Sequence, residues 1–113
     1  MPAYFIALCR GVHDREKLEE YWSAVPPTFQ GFAPKPLAIY TPLTLLENLG
    51  QALEGAVLIE FPDLATAKSW YESPAYQQVK KIRFGAADAE IFLLDGGVTP
   101  SKERMPQTVH VSF

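Results

Sequence analysis

The sequence predicts an α+β domain in which helices cover one face of a four-stranded antiparallel sheet. Three observations lead there. Stretches rich in strand formers occupy residues 3–9, 37–40, 56–61 and 90–94. Helical spacing follows Asp14 and Asp63, so one helical region lies between the first and second strands and another between the third and fourth. Proline and glycine punctuate the junctions. The order strand, helix, strand, strand, helix, strand is the split β-α-β, ferredoxin-like arrangement.

The first strand, residues 3–9, is apolar on both faces: Tyr4, Ile6 and Leu8 on one, Phe5, Ala7 and Cys9 on the other. Asp14 is a good N-cap, and after it Leu18, Tyr21, Trp22 and Val25 fall at i, i+3, i+4 and i+7 on one helical face. Pro26 and Pro27 stop that helix near Val25 because they cannot continue its hydrogen-bond ladder. Residues 28–36 lack periodicity and read as a loop. Residues 37–40 form a short strand that Pro42 ends or bulges, with residues 43–47 as a second segment.

Residues 56–61 are the next clear strand, with Val57, Ile59 and Phe61 on one face. Asp63 caps a helix carrying Leu64, Ala67, Trp70 and Tyr71 on a common side, and Ser73-Pro74 breaks it. Ser73 in turn caps a short helix with Pro74 at its first position, where the missing N–H costs nothing. Tyr76, Val79 and Arg83 project from that helix in one direction, and Gly85 ends it. Residues 90–94 form the last core strand, apolar on both faces.

At 113 residues the chain is one domain, assigned to residues 1–97. Residues 98–113 are a C-terminal tail in which Val109, Val111 and Phe113 alternate with His110 and Ser112, a strand pattern suited to pairing with a partner subunit's sheet edge. A composition of 48% hydrophobic and 20% charged residues is that of a globular protein. The net charge of −3, with basic residues clustered only at Lys80, Lys81 and Arg83, argues against a nucleic-acid partner. No apolar run approaches the roughly 20 residues that span a bilayer, so no membrane partner is expected. One cysteine, Cys9, and no signal-like start point to the cytoplasm.

Helices on one face leave the apolar second face of strands one, three and four uncovered. A second copy, packed sheet to sheet, covers it and makes a homodimer of the dimeric α+β barrel type.

The stretch from Glu60 to Arg83 is more particular than helix building requires. Glu60-Phe61-Pro62, Ala67, Trp70, Tyr71, Ser73-Pro74, Tyr76 and Arg83 closely resemble the signature of the family called domain of unknown function 1330. The resemblance implies a ferredoxin-like protomer in the dimeric α+β barrel superfamily, and no general activity. Members usually carry a paired glycine opening the second strand and an arginine within it. Here residues 29–40 offer only Gly31 and no arginine, with Lys35 the nearest cation.

Each candidate site residue also has a purely structural reading. Trp70 is either a pocket wall or a core tryptophan packing its helix on the sheet. Ser73 is either a ligand contact or simply a cap. Tyr76 and Arg83, a phenol and a fixed cation on one helical face, make a device for holding a carboxylate or enolate. The competing reading pairs Arg83 with Glu60 or Asp88. Glu60 is the acid/base candidate, and a merely solvated strand-end glutamate is the alternative.

His13 and His110 lie at opposite ends of the chain and show no metal spacing with Cys9, which reads as a buried inert thiol. A metal site built from Cys9, His13 and a partner's His110 is the remote alternative. No phosphate loop or dinucleotide fingerprint is present, so no cofactor is expected. The sequence therefore points to a small aromatic or carboxylate-bearing ligand bound between sheet and helices by Trp70, Ser73, Tyr76 and Arg83, with Tyr4, Phe29 and Tyr40 as further lining. The alternatives are a non-catalytic homodimeric module, or a cofactor-independent monooxygenase or isomerase by superfamily analogy.

Overall fold

The computed structural model describes residues 1–104. Its elements are β1 (Ala3–Val12), α1 (Arg15–Ala24), β2 (Lys35–Ile39), β3 (Gly55–Phe61), α2 (Leu64–Glu72), α3 (Pro74–Arg83) and β4 (Ala87–Asp95), with short 3₁₀ turns at Pro26–Phe29 and Ser101–Glu103. The strands form one antiparallel sheet in the order β2-β3-β1-β4, the ferredoxin-like topology.

The helices start where the capping residues stand. Asp14 accepts a hydrogen bond from the Lys17 backbone N–H at 3.1 Å and Asp63 one from that of Thr66 at 2.7 Å. Ser73 does double duty between α2 and α3. Its hydroxyl donates to the Trp70 carbonyl at 2.6 Å and accepts from the Tyr76 N–H at 3.3 Å, so one side chain closes one helix and opens the next. Lys80, Lys81 and Arg83 lie in the last turn of α3, where positive charge suits the helix dipole. Gly85 follows with φ of 80°, a left-handed turn that sends the chain into β4.

Phe5, Ile59 and Phe61 of the sheet pack with Leu18, Tyr21, Ala67, Trp70 and Tyr76 of the helices into a single core. Among the described residues no helix lies on the other face of the sheet. Ile6 pairs with Leu58 and Phe92 at its centre, and Tyr4 with Glu60 and Leu94 beside them. None of these side chains is buried in the protomer, and Phe92 and Leu94 are 42% and 53% exposed.

Two bulges adjust the register. Arg10 is an extra residue in β1 between the Cys9–Ala89 and Gly11–Asp88 pairs, and Leu37 is an extra residue in β2. Because of the second bulge, Pro36 and Ile39 both face the helices.

Residues 43–47, expected as a second strand segment, form no strand. The Tyr40 N–H donates to the Ala56 carbonyl at 2.9 Å, at the very start of β3, so later residues have no strand opposite them. Tyr40 then turns the chain away with φ of 51°. The alternating tail pattern at Val109, Val111 and Phe113, with His110, lies outside the described residues. Among the described residues no helix is long and apolar enough to cross a membrane.

Candidate functional site

The space between sheet and helices is set by a gradient of side-chain size across three registered rows. Phe5 stands between Ile59 and Leu93, Ala7 between Val57 and Ile91, and Cys9 between Gly55 and Ala89. The first row is bulky and holds the helical layer off the sheet, while the third is made of small residues that cannot fill the gap. A cavity of about 200 Å³ results, roofed by Leu18, Tyr21 and Trp22 of α1, by Val25 at its C-cap and by Phe29, with Trp70 and Arg83 in its wall. Its lining is overwhelmingly apolar and aromatic, the usual character of a small-molecule site.

Arg83 is the one side chain in that wall that is permanently charged. Among the described residues its buried Nε–H has no hydrogen-bond partner, and its guanidinium lies 5.6 Å from the centre of the Tyr21 ring. The ion pair with Glu60 or Asp88 considered from sequence does not form. Asp88 contacts His13 at 2.9 Å. Glu60 pairs in register with Tyr4 and Lys35 and faces the uncovered side of the sheet, so the sheet itself separates it from the cavity. Lys35, the nearest cation of the second strand, is on that same outer side.

Tyr76 is fully buried one layer behind the cavity and shares a 2.8 Å hydrogen bond with the Tyr21 hydroxyl. Burial raises its pKa strongly and Tyr21 adds to this, with Arg83 opposing, so Tyr76 stays a neutral phenol. It orients Tyr21 and stands beside Arg83, but does not itself line the space. Trp70 does line it, and is also the central pillar of the core. Its ring packs on Phe5, Phe29, Phe61 and Tyr76, and its Nε1–H donates to Thr28 Oγ1 at 2.9 Å. Trp70 is therefore a core residue with one edge on the cavity. Ser73 is occupied by its two capping bonds and is not part of the cavity wall.

The residues that sequence reasoning did not single out come from elsewhere. Tyr21 and Trp22 read as ordinary helix-core residues, and Tyr40 only as further lining beside Tyr4 and Phe29. In the structure the Tyr40 and Trp22 rings lie 4.8 Å apart, and the Tyr40 ring lies over Gly55. Burial, with Cys9 next to it, pushes the Tyr40 phenol up to about 12. The signal in the sequence was Gly55 opening a strand, since a glycine there often marks the close approach of another group. Cys9 is buried and its thiol points to the Gly11 carbonyl at 3.9 Å. Among the described residues no three His, Cys, Asp or Glu side chains come together as metal ligands.

Solved structures share this fold. A protein of unknown function from Rhodopseudomonas palustris is 20% identical, with 88% of this chain covering 84% of that one at a TM-score of 0.67. A dimeric ferredoxin-like protein of unknown function from Jannaschia sp. CCS1 is 12% identical, with coverage of 85% and 100% and a TM-score of 0.62. SnoaB, a cofactor-independent oxygenase from Streptomyces nogalater, is 12% identical, with coverage of 88% and 97% and a TM-score of 0.59. No curated protein matches the sequence. The family model described as Domain of unknown function (DUF1330) matches residues 2–97, and this chain belongs to that family.

Proposed function

We propose that the protein is a homodimer whose protomers each bind a small organic carboxylate between sheet and helices. The observation that carries this is the buried Nε–H of Arg83, unpartnered among the described residues, in the wall of an otherwise apolar cavity. A guanidinium N–H without an acceptor is costly, and a carboxylate of the right size supplies the acceptor and the compensating charge. The aromatic lining supplies apolar contact for the rest of the ligand. The dimer is supported by the uncovered apolar face around Ile6, Leu58 and Phe92, which no helix shields. It is further supported by the dimeric state of the Jannaschia protein.

The test is calorimetric titration of small aromatic acids into wild type and Arg83→Ala. A hydrogen bond to a charged group contributes about 1.5–3 kcal/mol, which is a loss of roughly 10- to 150-fold in affinity for the variant. Equal binding to both proteins would mean that Arg83 holds no carboxylate. Absence of binding to wild type favours the non-catalytic module.

A further inference from the structure

Tyr40 is held in the cavity wall by an arrangement that packing alone does not require. It has φ of 51°, the left-handed region, which is uncommon for an aromatic residue and persists only where the surroundings enforce it. The residue its ring crosses is Gly55, and any Cβ there would lie 2.2 Å from Tyr40 Cδ1. The Trp22 ring backs it from α1 at 4.8 Å. A strained backbone, a glycine and an aromatic partner thus combine to bring one phenol to the cavity.

The neighbouring Cys9 thiol, whose Sγ lies 3.9 Å from the Gly11 carbonyl, is only a weak acceptor for this phenol, and a ligand oxygen is a stronger one. With its pKa pushed up to about 12, the phenol is a hydrogen-bond donor throughout the neutral range. The cavity size limits what can lie between this donor and Arg83. An apolar cavity of about 150 Å³ is known to admit benzene, so about 200 Å³ suits one ring with one or two small substituents better than a fused pair of rings.

We propose that the ligand is a single-ring carboxylic acid with a second polar substituent, a hydroxyl or carbonyl oxygen, that accepts a hydrogen bond from Tyr40 while the carboxylate meets Arg83. This rests on the carboxylate reading of Arg83 and adds the ligand's size and its second anchor. Tyr40 is accordingly a specificity-determining residue. Buried donors of this kind discriminate against ligands that lack the matching acceptor, since the donor is then left unpaired.

The experiment is titration of benzoate, the three hydroxybenzoates, 4-formylbenzoate and 2-naphthoate into wild type, Tyr40→Phe and Gly55→Ala, with Arg83→Ala as the control for the carboxylate. In wild type at least one substituted benzoate is expected to bind roughly 3- to 10-fold more tightly than benzoate. Tyr40→Phe should erase that increment, so that substituted and unsubstituted benzoates bind alike. Gly55→Ala, which displaces the Tyr40 ring, should erase it as well, and thermal melts establish that both variants are folded. An increment that survives both substitutions, or its absence from every substituted benzoate, overturns the second anchor while Arg83-dependent benzoate binding leaves the first reading standing. Binding of 2-naphthoate as tightly as benzoate overturns the size limit. If no acid binds in an Arg83-dependent way, the first reading fails and this one with it.

Discussion

The hydroxyls of Tyr21 and Tyr76 lie 2.8 Å apart in the buried layer between α1 and α3, each the other's partner. Tyr76 is fully buried and Tyr21 nearly so, which makes the pair a shared hydrogen bond with little access to water. It also fixes the ring over which the Arg83 guanidinium sits.

Removing either hydroxyl leaves the other buried and less well satisfied. Tyr76→Phe and Tyr21→Phe should each destabilise the protein by about 1–3 kcal/mol in denaturant unfolding. The double variant removes both polar groups and should cost clearly less than the sum of the two. Additive losses would show that the two hydroxyls do not depend on one another.

The Trp70 indole is held through Thr28, whose Oγ1 accepts from Nε1 at 2.9 Å and donates to the Val25 carbonyl at 2.6 Å. Thr28→Val keeps the shape and removes the acceptor. The orphaned indole N–H should lower stability by about 1–3 kcal/mol, and Thr28→Ser should restore most of it. Chemical denaturation monitored by tryptophan fluorescence measures both, and an unchanged midpoint for Thr28→Val would show that this bond contributes nothing net.

The phenols predict loss of stability on the alkaline side. Burial, then Cys9, raises Tyr40 from 10.0 to about 12, and burial raises Tyr76 as well. A raised folded-state pKa gives stability that is complete below the unfolded value. It is lost as pH climbs from about 10 toward 12, because the unfolded chain releases its protons first. Melting temperature should therefore fall above pH 10, and less steeply in Tyr40→Phe. Spectrophotometric titration should show phenols ionising late, and a uniform transition near 10 for all five tyrosines would contradict the burial.

The uncovered sheet face makes the oligomeric state sensitive to one central residue. Ile6, between Leu58 and Phe92, should tolerate Lys poorly in a dimer and well in a lone protomer. Wild type is expected to sediment as a dimer at micromolar concentration and Ile6→Lys as a folded monomer. A monomeric wild type would leave that face without its proposed cover.

Most of the fold was legible because it rests on local rules. Asp14, Asp63 and Ser73 cap helices by the same backbone geometry wherever they occur, Pro26 and Pro74 mark helix boundaries, and alternation assigns strand faces. The failed segment at residues 43–47 is the instructive exception. Its leucines suit a strand, but pairing requires a partner, and β3 begins too late in the register to supply one. The signature from Glu60 to Arg83 likewise divides once contacts are known. Ser73 is consumed by capping, Glu60 is turned to the far face by strand alternation, Tyr76 supports from behind, and Arg83 reaches the cavity together with an edge of Trp70.

From the sequence alone came the element order, the caps, the two-faced apolar strands and hence the prediction of an open sheet face. Tertiary structure alone decided that Cys9, Gly55 and Ala89, distant in the chain, fall in one row and leave a void, and that the Tyr40 ring is held across Gly55. The reason is physical. Caps and periodicity act within a few residues, whereas a cavity is a volume left over after every element has packed, and no single segment encodes what its neighbours fail to fill.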